Sequence, residues 1–355
     1  MTGRARYVVL AEGAFDAEWA KTAASLIRYR PERVAAVLDS TRAGSPVSEI
    51  LGFGGAIPIL ANLDEALALE PTPTALLIGI APQGGGLPEA WRPVLRGAIE
   101  AGLDVWSGLH TFLGDDPEFA RLAEDRGTVI HDVRRPPKGL PVGTGLARET
   151  RGVRVLTVGT DCNVGKLTAS LELVDELERR GVRAAFAATG QTGILIAGKG
   201  IAVDAVVADF VAGAAERLVL DSPPDSDVIV VEGQGSLLHP GDSGVTLSLM
   251  HGVMPQALVL CTKPARTHIY GGEYDWVAIL PLDEVVRLYE DAMAWAYPDE
   301  TVRVVAIALN TDGQPDREAR SQVERAEDLT SLPATDPIRY GAAKLADALT
   351  ALLDV

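Results

Sequence analysis

The sequence has few cysteines, few basic residues and no long hydrophobic run, and each absence excludes a class of protein. Two cysteines, Cys162 and Cys261, support neither a disulfide framework nor a zinc pattern. The net charge of −17 argues against a nucleic-acid or anionic-membrane partner. No apolar run approaches a membrane span, and the N-terminal one is too short for a signal peptide. We expect a cytoplasmic protein that binds neither nucleic acid nor membrane.

The order of apolar segments predicts an α/β protein with two domains. Strand-like and helix-like segments alternate on both sides of a stretch rich in proline and glycine, which is typical of parallel sheets covered by helices. A chain of 355 residues is long enough for two such cores. We place a first domain at residues 1–133, a linker at 134–150 and a second domain at 151–355.

The stretch Val153–Ser170 is the most informative part of the sequence. An apolar strand leads into a glycine-containing turn and then into an amphipathic helix that we expect from about Val164 to Arg180. This order is typical of a phosphate-binding loop, or P-loop, in which backbone N–H groups, a helix N-terminus and a lysine surround an anion. The residues that we expect to bind phosphate are Gly159, Thr160, Asp161, Asn163, Val164, Gly165, Lys166 and Thr168.

The loop departs from the usual P-loop pattern in two ways. Five residues, rather than four, separate Gly159 from Gly165. Leu167 stands where a serine or threonine normally offers its hydroxyl to magnesium, and Thr168 lies about 100° further round the helix. We therefore assign no metal site, although a carboxylate such as Asp161 is an alternative means of recruiting magnesium.

Polar residues follow three other apolar strands of the second domain. Because the carboxyl ends of parallel strands share one edge of a sheet, these residues are candidates for one site. Glu232 follows the strand Val228–Val231, and its apolar setting predicts a raised pKa that suits a general base; His239 is the rival base. The candidates for substrate contacts are Thr189, Gln191 and Thr192, in an expected loop from Thr189 to Gly193, and Arg266 and His268.

Two further expectations concern the second domain. We expect one helix to run from Val203 to Val219. Cys162 lies near a helix N-terminus, which is expected to lower its pKa.

Several motifs together resemble known families. The loop Gly159–Lys166, the strand end Glu232–Gly235 and Asn310–Thr311 resemble dethiobiotin synthetase. A closer resemblance spans nearly the whole chain and is to the D-glutamate N-acetyltransferase family, which joins a Rossmann-like half to a P-loop half. The motifs that carry it are Ser107–Thr111, His131–Arg134, Pro141–Gly145, the P-loop, Ala188–Gly193, Val203–Phe210, Glu232–Ser236 and Arg266–His268.

This resemblance implies an N-terminal Rossmann-like parallel sheet, a C-terminal P-loop NTPase-like sheet and acetyl transfer from acetyl-CoA to the amine of D-glutamate or a related amino acid. Lys166 and the loop amides would hold coenzyme A phosphates, Arg266 a substrate carboxylate, and Glu232 or His239 would remove a proton. One alternative is an ATP- and Mg²⁺-dependent ligase or kinase, as in dethiobiotin synthetase. A second is a non-catalytic nucleotide-binding protein. The sequence leaves the oligomeric state open.

Overall fold

The computed structural model describes residues 5–16, 19–80, 82, 85–298 and 300–353. The chain divides into two compact units. The first comprises Met1–Pro136 and Gln191–Ala205, and the second comprises Pro137–Gly190 and Val206–Val355. Within the described ranges, every helix is too short or too polar to cross a membrane.

Twelve strands in the described residues form two parallel sheets, one in each unit. The strands are β1 (Tyr7–Leu10), β2 (Val34–Leu38), β3 (Ile59–Leu60), β4 (Ala75–Ile78), β5 (Asp104–Ser107), β6 (Ile130–Asp132), β7 (Val153–Gly159), β8 (Ala184–Ala187), β9 (Val228–Val231), β10 (Ala257–Thr262), β11 (Arg303–Leu309) and β12 (Ala334–Thr335). The first sheet has the order β3-β2-β1-β4-β5-β6 and the second β12-β11-β10-β7-β9-β8. The predicted α/β architecture with two parallel sheets is confirmed.

Helices connect the strands, as parallel pairing requires. They are α1 (Lys21–Tyr29), α2 (Val47–Leu51), α3 (Leu63–Leu67), α4 (Arg92–Glu100), α5 (Pro117–Arg126), α6 (Lys166–Arg179), α7 (Gln191–Ala197), α8 (Val211–Leu220), α9 (Ser243–Val253), α10 (Leu282–Ala294), α11 (Asp316–Thr330) and α12 (Ala343–Leu353). In the first unit, Asp116 caps α5 by accepting hydrogen bonds from the amides of Glu118 and Phe119, and Gly127 ends that helix in the left-handed conformation.

Strand β7 lies inside the second sheet and sets the position of the phosphate loop. It pairs in parallel with β9 on one side and with β10 on the other. Its apolar side chains join a fully buried core with residues of α6 and α12, such as Leu173 and Leu345. Burial on both faces explains why these strands read as continuous apolar runs. The loop after β7 therefore opens at the carboxyl edge, between the ends of β9 and β10.

The structure corrects two local expectations. The predicted loop Thr189–Gly193 is helical from Gln191, because Ile194 and Ile196 of α7 are buried and this helix packs on α1. The single helix expected at Val203–Val219 was wrong. Residues 203–205 and 208–210 form 3-10 turns, and α8 begins only at Val211. The chain passes from the first unit to the second after Ala205. The apolar residues between Val203 and Val219 therefore pack in two different cores and do not form one helix.

Two glycines of α9 offer a matched test of helix packing in the second unit. A Cβ on Gly252 would lie 2.1 Å from the carbonyl oxygen of Ala212 in α8, whereas a Cβ on Gly244 would meet no atom within 4 Å. We expect Gly252→Ala to lower the free energy of unfolding by about 2 kcal/mol or more, because α8 and α9 must move apart. Gly244→Ala should leave it unchanged or raise it by about 0.5 kcal/mol. Urea denaturation of both variants measures the difference, and equal effects would contradict the tight helix contact.

Candidate active site

The phosphate loop has the backbone geometry of an anion site. Strand β7 ends at Gly159 and helix α6 begins at Lys166. Two loop residues adopt the left-handed conformation, Asn163 with φ 55° and Gly165 with φ 103°. Asparagine and glycine tolerate this conformation better than other residues do. These two residues place the loop amides at the N-terminus of α6, which is the positive end of the helix dipole.

The loop amides are available to a ligand. Across the described ranges, the amides of Asn163, Val164 and Gly165 donate to no protein acceptor, although Val164 is buried. Unpaired amides at a helix N-terminus are the donors that phosphate groups use in P-loops. The arrangement thus supports the anion-binding character that the sequence predicts.

Lys166 is held deep in the loop. Its side chain is 7% exposed, and Nζ donates a hydrogen bond of 2.8 Å to the carbonyl oxygen of Asp161. Burial lowers the pKa of Lys166, while neighbouring groups, among them Cys162 and Asp161, act in the opposite direction. A Cβ on Gly159 would lie 3.0 Å from Nζ, so the glycine makes room for the ammonium group. An arriving phosphate would compensate this poorly solvated charge.

Glu232, immediately after β9, is a buried carboxylic acid. Its Oε2 accepts hydrogen bonds from the amides of Thr189, at 3.0 Å, and Gly190, at 3.2 Å. Burial raises the pKa of Glu232 to about 7, against the opposing effect of these two amides and of Lys166. Its burial agrees with the raised pKa that the sequence predicts. A carboxylate that exchanges its proton near neutral pH is suited to general acid–base catalysis.

A glycine after Glu232 lets the end of β9 lie against β7. The amide of Gly233 donates to Oγ1 of Thr157 at 2.9 Å, and a Cβ there would lie 1.7 Å from the carbonyl oxygen of Thr157. The same Cβ would lie 3.1 Å from Cδ of Lys166. Close backbone contact therefore brings the strand end that carries Glu232 alongside the lysine stem.

Asp161 anchors the loop to the chain after β10. It is fully buried, and its Oδ2 accepts from Nη1 of Arg266 at 2.6 Å and from the amide of Tyr270 at 2.8 Å. The same Nη1 donates to the carbonyl oxygen of Cys162 at 2.6 Å. Arg266, which the sequence predicts to bind substrate, thus contacts two residues of the P-loop, Asp161 and Cys162. His268 is exposed, with Nδ1 3.0 Å from Oγ1 of Thr267.

Cys162 lies beside a second acid and a histidine. Its Sγ donates to Oδ2 of Asp242 at 2.7 Å, and the Nδ1 of His239 lies 3.6 Å from that oxygen. Burial, with the charges of Asp242 and Asp161, raises the pKa of Cys162 to about 12 although Lys166 lowers it. The expected depression of this pKa was wrong, because desolvation and the two acids outweigh the positive charge of Lys166.

His239 is positioned by its own turn and by an aromatic ring. It is 7% exposed, and its Nδ1 accepts a hydrogen bond of 3.1 Å from the amide of Gly241. An accepting Nδ1 places the proton of the neutral ring on Nε2. The ring of Tyr274 lies 4.7 Å from that of His239, centroid to centroid.

The remaining predicted residues fall in both units. Oγ1 of Thr160 donates to Oγ1 of Thr262 at 3.2 Å, and Oγ1 of Thr189 donates to the carbonyl oxygen of Glu232 at 2.7 Å. Thr168 is half-buried on α6. Gln191 and Thr192 belong to α7 and hence to the first unit.

Sequence reasoning missed several side chains around the loop. Asp242 lies beside His239, the ring of Tyr270 contacts Arg266 and the ring of Tyr274 contacts His239, but these three residues follow no recognisable motif. The one available signal was Asp242, an acid directly before a helix, which is a common N-terminal position for aspartate. The segment that carries the tyrosines has no helix or strand of its own and lacks hydrophobic periodicity.

Comparison with known proteins identifies the two halves. A family model described as a domain of unknown function, DUF1611_C, P-loop domain, matches residues 141–346. A second, described as DUF1611_N, Rossmann-like domain, matches residues 40–136. The crystal structure of a DUF1611 family protein from Anabaena variabilis is 41% identical, with a TM-score of 0.92, and covers 98% of this chain and 100% of that one.

Two curated relatives carry an activity in their names. A D-glutamate N-acetyltransferase from Tritonibacter scottomollicae is 43% identical over 293 residues, which is 82% of this chain and 85% of that protein. The chain belongs to the D-glutamate N-acetyltransferase family. A second member, from a Pseudoalteromonas species, is 39% identical over 75% of this chain and 78% of its own length. Membership makes this protein an N-acetyltransferase and confirms the family that the motifs indicate.

The pKa of Glu232 predicts how stability depends on pH. Because this pKa rises from 4.5 to about 7 on folding, the folded protein binds more protons between these values, and its free energy of unfolding falls as pH rises. The full difference is about 3 kcal/mol. We expect Glu232→Gln to remove this fall in the free energy of unfolding. In urea denaturation, the stability of the variant relative to the wild type should therefore increase from pH 4.5 to pH 8.

Glu216 of α8 provides a control of opposite sign. Burial raises its pKa, but hydrogen bonds from Thr144 and Leu146 outweigh burial and lower it. The stability that Glu216 contributes is present above its ordinary pKa and is lost as pH falls. Glu216→Gln should therefore cost more at pH 7 than at pH 4. If the free energies of unfolding of the wild type and of Glu232→Gln change in parallel with pH, the raised pKa of Glu232 is contradicted.

Proposed function

We propose that this protein transfers the acetyl group of acetyl-CoA to the amine of D-glutamate. The observation that carries the proposal is a buried acid, Glu232, whose pKa is about 7, beside the phosphate-binding loop of a chain that shares 43% identity with a D-glutamate N-acetyltransferase. An acetyltransferase needs a group that accepts the ammonium proton near neutral pH and a site for its anionic donor. Both requirements correspond to features of the second unit.

The donor fits the loop by its phosphates. Coenzyme A carries a diphosphate, which Lys166 and the free amides of Asn163, Val164 and Gly165 would hold. Leu167 removes the hydroxyl that would bind magnesium in an ATP-dependent P-loop enzyme. The poorly solvated ammonium of Lys166 favours an anionic ligand even without a metal ion.

Glu232 is suited to prepare the amine. As the carboxylate, it takes a proton from the substrate ammonium, and the free amine then attacks the acetyl carbonyl carbon. The tetrahedral intermediate expels the coenzyme A thiolate, and the second amine proton leaves to solvent or to the thiolate. Cys162 has a pKa of about 12, which disfavours a covalent acyl-enzyme on this thiol. His239 is the alternative base.

Arg266 is a candidate for binding a carboxylate of D-glutamate. Within the described chain only Nη1 donates to protein acceptors, so Nε and Nη2 remain as a pair of donors for a carboxylate. Thr189, Gln191, Thr192 and His268 stay predictions as further substrate contacts.

Product analysis of variants tests the proposal. With acetyl-CoA and D-glutamate, we expect thiol release together with N-acetyl-D-glutamate identified by mass, and Glu232→Gln should lower kcat by about 100-fold or more. The wild-type kcat/KM should rise with pH through an inflection near 7 that the variant lacks. If His239→Ala loses the rate while Glu232→Gln keeps it, His239 is the base. Absence of product from the wild type would contradict the proposed function.

The phosphate loop is tested by calorimetry. We expect Lys166→Ala to weaken acetyl-CoA binding by at least about tenfold, because a charged phosphate contact is lost. Lys344→Ala is the matched control, since Lys344 pairs with Glu327 and lies on α12. Binding of ATP with Mg²⁺, but not of acetyl-CoA, would instead favour the ligase or kinase that dethiobiotin synthetase exemplifies.

A further inference from the structure

We propose that Asp161, Cys162 and His239 form a binding site for one thiophilic divalent cation of the Zn²⁺ type. Their ligand atoms, a carboxylate oxygen, Sγ and a ring nitrogen, all lie within 4.8 Å of one another. Such separations let three ligands meet at a single tetrahedral ion. The site was invisible in the sequence because its third ligand follows a different strand.

The chemistry of the three ligands selects the metal. Thiolate and imidazole suit Zn²⁺ far better than Mg²⁺, which prefers oxygen atoms only. Three protein ligands leave the fourth tetrahedral position open, as in zinc sites that exchange a ligand. The ligand chemistry thus differs from that of the magnesium site that a P-loop hydroxyl completes, and Leu167 removes that hydroxyl.

The ligands are already oriented by neighbouring groups. The carboxylate of Asp161 is fixed by Arg266 and by the amide of Tyr270, and a carboxylate has enough lone pairs to bind an ion as well. The ring of His239 is nearly buried beside Tyr274. The ion would take the Nδ1 lone pair in place of the Gly241 amide and leave the proton on Nε2. Fixed ligands of this kind increase metal affinity because little ordering is required when the ion binds.

Asp242 provides the acceptor for the proton that the metal must displace. Its Oδ2 already accepts the Cys162 thiol proton at 2.7 Å. When the ion binds, a metal–sulfur bond forms, the S–H bond breaks, and the proton passes to Asp242 or water, with no change of oxidation state.

Metal titration of the protein tests the site without any substrate, so its result is independent of the proposed function. After chelation and removal of the chelator, Co²⁺ is added as a spectroscopic substitute for Zn²⁺. We expect one equivalent to produce the near-ultraviolet band of a cobalt–thiolate bond, and Zn²⁺ to bleach it in competition. A large excess of Mg²⁺ should leave the band unchanged.

Variants identify the ligands. Cys162→Ser should abolish the band, and His239→Ala should weaken Zn²⁺ binding by at least about tenfold. Cys261→Ala is the matched control, because Cys261 is the other cysteine and lies buried in β10; it should keep the band. A wild type without the band, a band that survives in Cys162→Ser, or a band lost only in Cys261→Ala would each overturn the proposal. Thermal unfolding curves confirm that each variant is folded.

Discussion

The candidate site depends on the contact between the ends of β7 and β9. The amide of Gly233 donates a hydrogen bond to Oγ1 of Thr157. A Cβ on Gly233 would lie only 1.7 Å from the carbonyl oxygen of Thr157. This contact brings the end of β9, which carries Glu232, next to the side chain of Lys166 at the start of α6, and both side chains are buried. Neither charge has full access to water, so burial raises the pKa of the acid and lowers that of the lysine. The close backbone contact thus helps to bury Glu232, and burial gives this acid a pKa near neutral pH.

The P-loop after β7 lacks the magnesium-binding hydroxyl but is contacted by several polar residues. A P-loop with Leu167 in place of the magnesium hydroxyl has lost one part of phosphoryl transfer but keeps its amides and its lysine. These parts would suffice for the phosphate-bearing acyl donor that we propose. Arg266, Tyr270 and Asp242 hold the loop from outside through Asp161 and Cys162. The loop is therefore held by contacts from outside its own strand and helix.

The sequence predicted the strands, the P-loop fold after β7 and the apolar setting of Glu232 because each depends on local order. Apolar runs, two glycines and a lysine report directly on a buried strand and on backbone shape. Contacts between distant segments were not predictable. The pKa of Cys162 depends on Asp242, and α7 was missed because its helix is favoured by packing on α1 in the first unit. Neither partner is visible from the neighbouring residues.

The most direct measurement is the titration of the Glu232 carboxyl group itself. Carbon-13 NMR of protein labelled at glutamate side-chain carboxyl carbons, with Glu232→Gln to assign the signal, follows the proton on this one group. We expect an apparent pKa near 7 in the free enzyme, well above the ordinary 4.5. A Glu232 signal that titrates at 4.5 or below would show that the acid is solvated or firmly ion-paired, and would contradict its role as the base.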